Sequence, residues 1–166
     1  MPPDLDVYVI SPARDLETIE RFLDIYVNRA ASEDRGDEEL MILSLNASEE
    51  SSSSDDWDWE PAESLTHIVD RELQHPRRAF AVYLKAQDVR LAGAILGSTA
   101  DNQVIFGVSL DDEGAKAENR DRAKMFLHEM AEAFGWRHGF IGVEAPPPLS
   151  GKRDAPGPLV YSWSPE

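Results

Sequence analysis

The chain has 166 residues, 42% of them hydrophobic, with four tryptophans, no cysteine and a net charge of −16. That length holds one domain, and the apolar content is that of a globular protein rather than a disordered one. Without cysteine there are no disulfides, thiolate zinc sites or Cys nucleophiles, and a reducing, cytoplasmic location is the expectation.

The N-terminal residues MPPDLD show no basic-then-apolar leader, and no apolar run reaches the roughly 20 residues that span a bilayer. Val7–Ile10 reads as a short strand. Ser11 or Asp15 is then placed to cap a helix, with Pro12 fitting a first helical position. Leu16, Ile19, Phe22, Leu23, Tyr26 and Val27 recur at helical spacing behind it. Ala30–Glu39 is polar and reads as loop, and Leu40–Leu45 (LMILSL) reads as a buried strand. Asn46–Glu60 (NASEESSSSDDWDWE) is too polar to order itself and is expected to be a flexible acidic loop. Pro61 suits the first turn of a second helix, whose stripe is Leu65, Ile68, Val69 and Leu73 and whose end is His75-Pro76.

Residues 79–110 hold three strand-length apolar runs, Ala79–Ala86, Leu91–Thr99 and Val104–Leu110, separated by hairpin-length polar breaks. They predict an antiparallel meander, with Phe80, Val82 and Leu84 on one face of its first strand. Val104, Phe106, Val108 and Leu110 share a face of its third. Gly93 and Gly97 in the middle strand predict close approach of a helix, or a bulge. Asp111–Gly114 reads as a turn. Ala123, Phe126, Leu127, Met130, Ala131 and Phe134 then form a third helix that stops at Gly135. Phe140–Val143 is the last strand of the compact part, residues 1–145. Residues 146–166 are rich in Pro and Gly, and Leu159–Trp163 adds an edge strand or packs on the sheet. The order β-α-β-α-β-β-β-α-β implies an α+β fold, a single domain with helices packed on the sheet.

Charge is unevenly spread. Residues 36–70 hold 11 acids and no Lys or Arg, about two thirds of the excess negative charge in about a fifth of the chain. Such a field repels nucleic acid and anionic membranes and attracts a basic protein. Within it, Glu49, Glu50, Asp55, Asp56, Asp58 and Glu60 surround Trp57 and Trp59, a set that combines electrostatic steering with aromatic anchors. These eight residues are the candidate partner-binding site.

Catalytic and metal motifs are sparse. There is no Gly-rich phosphate loop and no Gly-x-Ser-x-Gly elbow. His128-Glu129 starts like a zinc-protease helix, but position 132 is Glu. Asp56-Trp57-Asp58-Trp59-Glu60 starts like a calcium loop, but Pro61 and His67 stand where Gly and Glu are required. No catalytic residue, cofactor or metal is expected.

The order of elements over Ala79–Val143 is similar to the core of the N-acetyltransferase superfamily. That family grips the coenzyme A pyrophosphate with a Gln/Arg-x-x-Gly-x-Gly/Ala loop, whereas here the stretch is Asp111-Asp112-Glu113-Gly114-Ala115-Lys116-Ala117-Glu118, and its acids oppose phosphate. In layout and charge the chain resembles small acidic bacterial immunity-type proteins of uncharacterised families, with Ser11-Pro12-Ala13-Arg14 before a helix and Asp101–Ser109 in a hairpin. That resemblance implies a non-enzymatic inhibitor that covers the basic active site of a toxin or effector. The alternatives are a degenerate acetyltransferase-like enzyme and an acidic mimic of DNA. Oligomeric state has no signature in the sequence.

Overall fold

The computed structural model describes residues 3–33, 40–45, 57–74, 78–135, 138–147 and 159–163. Its strands are β1 (Asp4–Ser11), β2 (Met41–Leu45), β3 (Trp57–Pro61), β4 (Phe80–Leu84), β5 (Gly93–Ser98), β6 (Val104–Asp111), β7 (His138–Val143) and β8 (Leu159–Trp163). They form one eight-stranded sheet in the order β3-β2-β4-β5-β6-β1-β7-β8. Every pairing among them is antiparallel. The class is α+β, and β4, β5 and β6 are the meander that the apolar runs imply.

The helices are α1 (Leu16–Tyr26), the short α2 (Arg29–Glu33), α3 (Leu65–His67, continuing as a π-turn over Ile68–Glu72) and α4 (Ala117–Phe134). Asp15 is the N-cap of α1, its carboxylate accepting from Thr18 N–H at 2.9 Å. Ser11 belongs instead to the end of β1. Its hydroxyl donates to the Phe134 carbonyl at 3.1 Å, satisfying an orphan group at the C-terminus of α4.

One face of the sheet, here the near face, carries α1, α3 and α4. Across it run Ile42, Val82, Leu96, Phe106 and Val9, matched strand by strand through the register, with Ile141 of β7 opposite Val7 on the same face. Phe22 of α1 and Phe134 of α4 lie 5.1 and 5.0 Å from the Phe106 ring, centroid to centroid, and 5.6 Å from each other. Tyr26 extends this aromatic cluster toward Phe126 and donates its hydroxyl to Glu129 at 2.6 Å.

Several expectations need correction. Residues 46–56 of the expected flexible loop lie outside the described residues, but Trp57–Pro61 is an ordered edge strand. The reason is its own alternation: Trp57, Trp59 and Pro61 interleave with Asp58 and Glu60, a period of two that pairs with β2 in register Leu43↔Trp59. Pro61 therefore closes a strand and does not open a helix; Ser64 caps α3, accepting from His67 N–H at 3.0 Å. Part of the expected loop after α1 is α2, with residues 34–39 outside the described set. Gly93 and Gly97 do not receive a helix. A Cβ on Gly97 would meet the backbone of Phe80 and Ala81, so that glycine serves strand-to-strand approach.

The helix comes close at Gly139 of β7 instead, where a Cβ would lie 2.5 Å from Leu127 Cδ1 and 3.0 Å from the Tyr8 carbonyl oxygen. Gly139→Ala is expected to lower unfolding stability by about 1–3 kcal/mol through overpacking. Gly93→Ala, which meets only the Leu84 carbonyl at 3.4 Å, should change it little. Urea unfolding of the two variants beside the parent checks this, and equal midpoints would refute the contact.

Candidate functional site

The opposite, far face begins with alternation in β1. Leu5, Val7 and Val9 serve the near face, so Asp4, Asp6, Tyr8 and Ile10 serve the far one. Register then gathers their neighbours: Asp6 is opposite Ser109 of β6 and Gly142 of β7, and Asp4 is opposite Asp111. Ser109 donates its hydroxyl to Asp6 Oδ1 at 2.5 Å. Beyond β7 the chain turns at Glu144, whose φ is 46°, the left-handed region. The turn brings Ala145 back over β1. Its carbonyl accepts from the Tyr8 hydroxyl at 2.7 Å, and its N–H donates to the Asp6 carboxylate. The hydroxyl of Tyr83 in β4 is hydrogen-bonded to that of Tyr8.

These groups border a cavity of about 430 Å³, lined among others by Asp4, Asp6, Tyr83, Lys85, Ser109 and Glu144. Glycine at 93 leaves its floor open. Burial pushes the Asp6 carboxyl up to about 6, against the pull of the Ser109 donor and with the added repulsion of Asp4. Asp4 is raised in turn by burial and by the neighbouring Asp111 and Glu144. Burial also drives Tyr83 up to about 12, with the Asp6 charge adding to it. The cavity thus holds carboxylates whose ionisation costs free energy, and Lys85 is the sole cation on its described wall.

The sequence-derived site is divided. Glu49, Glu50, Asp55 and Asp56 lie outside the described residues, and Trp57 is placed by its backbone in β3. Trp59 stands on the far face, 57% exposed, its ring 6.0 Å from that of Tyr83, centroid to centroid. It thereby continues the cavity's aromatic wall outward. Asp58 and Glu60 alternate to the near-face side of β3, where Glu60 is bridged to Arg78. The charge argument missed Asp4, Asp6, Tyr83, Ser109 and Glu144. A signal for the first two was present: acids at every second position leading into an apolar strand.

Other candidates have structural employment. His128 packs against β8, its ring 4.1 Å from that of Trp163, centroid to centroid, and Glu129 is engaged by Tyr26. Among the described residues no group of three or more His, Asp or Glu side chains is arranged to hold a metal ion. Between β6 and α4 the Asp112 carboxylate accepts from the Asn119 side chain at 3.0 Å, so the stretch compared with a coenzyme A loop is closed on itself. Comparison with protein families, curated proteins and solved structures finds no match for this chain. Among the described residues no helix is long and apolar enough to cross a membrane.

The Asp6 shift sets a sign for stability against pH. Its folded value, about 6, lies above the ordinary 3.8, so between those values the folded chain binds more protons than the unfolded one. Stability therefore falls as pH rises through that window, by on the order of 3 kcal/mol for this buried group. Asp15 and Asp88, both lowered by hydrogen bonds, act oppositely and lose their contribution only in stronger acid. Chemical denaturation is expected to show greatest stability near about pH 4, with Asp6→Asn flattening the decline toward neutrality. Parallel profiles for parent and variant would show that Asp6 is not the cause.

Proposed function

We propose that the chain is a non-enzymatic acidic binding protein that docks a cation-rich protein on the far face of its sheet. An immunity protein or inhibitor would cover a basic toxin or effector in this way. The observation that carries this reading is the junction of Trp59 with the cavity. An exposed indole packs against Tyr83 in a tilted arrangement, and Tyr83 walls a pocket where Asp4 and Asp6 keep negative charge partly out of water, with the exposed Glu144 also on its wall. A cation entering there lowers the cost of ionising Asp4 and Asp6. At an effective dielectric constant of about 20, opposite charges about 4 Å apart attract by about 4 kcal/mol. A guanidinium suits the site better than an ammonium, because its planar fork can engage two carboxylates and stack on an aromatic ring. Aromatic anchors of the Trp59 kind commonly account for about 2 kcal/mol or more of binding when truncated. The field of residues 36–70 contributes at longer range, by raising the encounter rate with a basic partner.

The test is a titration with N-acetyl-argininamide, followed by the backbone amide shifts of Gly93, Ser109 and Ala145. N-acetyl-citrullinamide serves as the neutral isostere. Saturable shifts are expected for arginine only, growing tighter as pH rises through about 6 and the carboxyls ionise, and weaker in Asp6→Asn. Equal responses to the two ligands, or none, would remove the support for a cation-receiving face.

A further inference from the structure

The second inference rests on the reading of the chain as a binding protein and adds the geometry of the grip. Among the described residues β3 is an edge of the sheet, and its register against β2 is fixed. Ala62 N–H donates to the Leu40 carbonyl at 2.8 Å, which makes these two a hydrogen-bonded pair. In an antiparallel ladder every second residue repeats that role, so Glu60 and Asp58 turn their backbone groups toward β2. Trp59 lies between them, so its N–H and C=O face away from the sheet. Pro61 shares that outward phase but has no N–H to offer. Among the described residues, the donor and acceptor of Trp59 are therefore the centre of an unpaired edge.

The opposite edge is less suited to pairing. β8 joins β7 with a register shift between Ile141 and Gly142, and such irregularities twist an edge away from a flat partner. The charge around β3 further selects what can pair there. Asp58 and Glu60 flank Trp59, and no Lys or Arg occurs from 36 to 70. A second copy of β3 laid alongside would set acids among acids, which disfavours self-pairing. A basic strand is attracted by Asp58 and Glu60 instead, the latter already bridged to Arg78.

We propose that a partner adds an antiparallel strand to β3, using an extended segment in which Lys or Arg alternates with branched or aromatic residues. The cations lie on the side of Asp58 and Glu60, and the apolar side chains lie beside Trp59 on the far face. The residue opposite Trp59 exchanges both backbone hydrogen bonds with it, so the partner's apolar residues are the ones whose N–H groups point at β3.

The probe is a short acetylated peptide alternating lysine and valine, added to the full isotope-labelled chain. Binding should slow hydrogen exchange at the Trp59 amide at least about tenfold, as a newly formed backbone hydrogen bond does. N-methylation of the valines should weaken the peptide about tenfold or more, and N-methylation of the lysines less than about twofold. Equal loss in the two methylated series, or an unprotected Trp59 amide in the bound state, overturns strand addition and leaves the acidic binding function standing. If a glutamate–valine peptide binds as tightly as the lysine–valine one, the charge-based function itself falls. Absence of saturable binding by the lysine–valine peptide overturns both.

Discussion

The fold depends on a strand that must satisfy two different environments at once. β1 is paired on both edges and buried on both faces, so each of its backbone groups is committed and each side chain has one layer to serve. Leu5, Val7 and Val9 supply the apolar floor on which α1 and α4 rest. Asp4, Asp6 and Tyr8, one residue out of phase, bring polar groups into the other layer. A register slip of one residue would exchange the two sets and place carboxylates under the phenylalanine cluster. The polar residues thus enforce pairing specificity, and they require dedicated donors from Ser109 and Ala145 to be tolerated.

That arrangement explains why the site is poised rather than quiet. Asp6 has its hydrogen bonds yet remains hard to ionise, because desolvation and like-charged neighbours outweigh two donors. A buried carboxyl fully matched to a cation would show the opposite shift. Asp88, near the surface, shows the effect of a cation partner within the same molecule: Arg90 wraps it with several hydrogen bonds, and its carboxyl is held down at about 2. Asp6 differs from it both in being buried and in having no cation against it among the described residues.

Much of the fold was legible because periodicity reports burial directly. α4 buries Ala123, Phe126, Leu127, Met130, Ala131 and Phe134, the same residues its steps of three and four single out. The three-strand meander followed from run lengths and short polar breaks. What the sequence did not disclose was adjacency between distant strands. Nothing local tells β1 that it will lie between β6 and β7, and without that knowledge Asp4, Asp6, Ser109 and Glu144 are unrelated residues. β3 was obscured for a different reason. Its five residues follow a serine-acid tract, and composition averaged over that tract hides an alternation that pairing with β2 makes stable.

Glu144 shows where the molecule keeps charge at the expense of comfort. With φ at 46° it occupies a region that a glycine enters without steric penalty, while a side chain there costs on the order of 1–2 kcal/mol. Glycine would make the same bend and still carry Ala145 to Tyr8 and Asp6. It would also strip a carboxylate from the cavity wall. A chain selected for ruggedness alone would have the relaxed bend at this corner, and the residue found there trades that ease for an ionisable group facing the pocket.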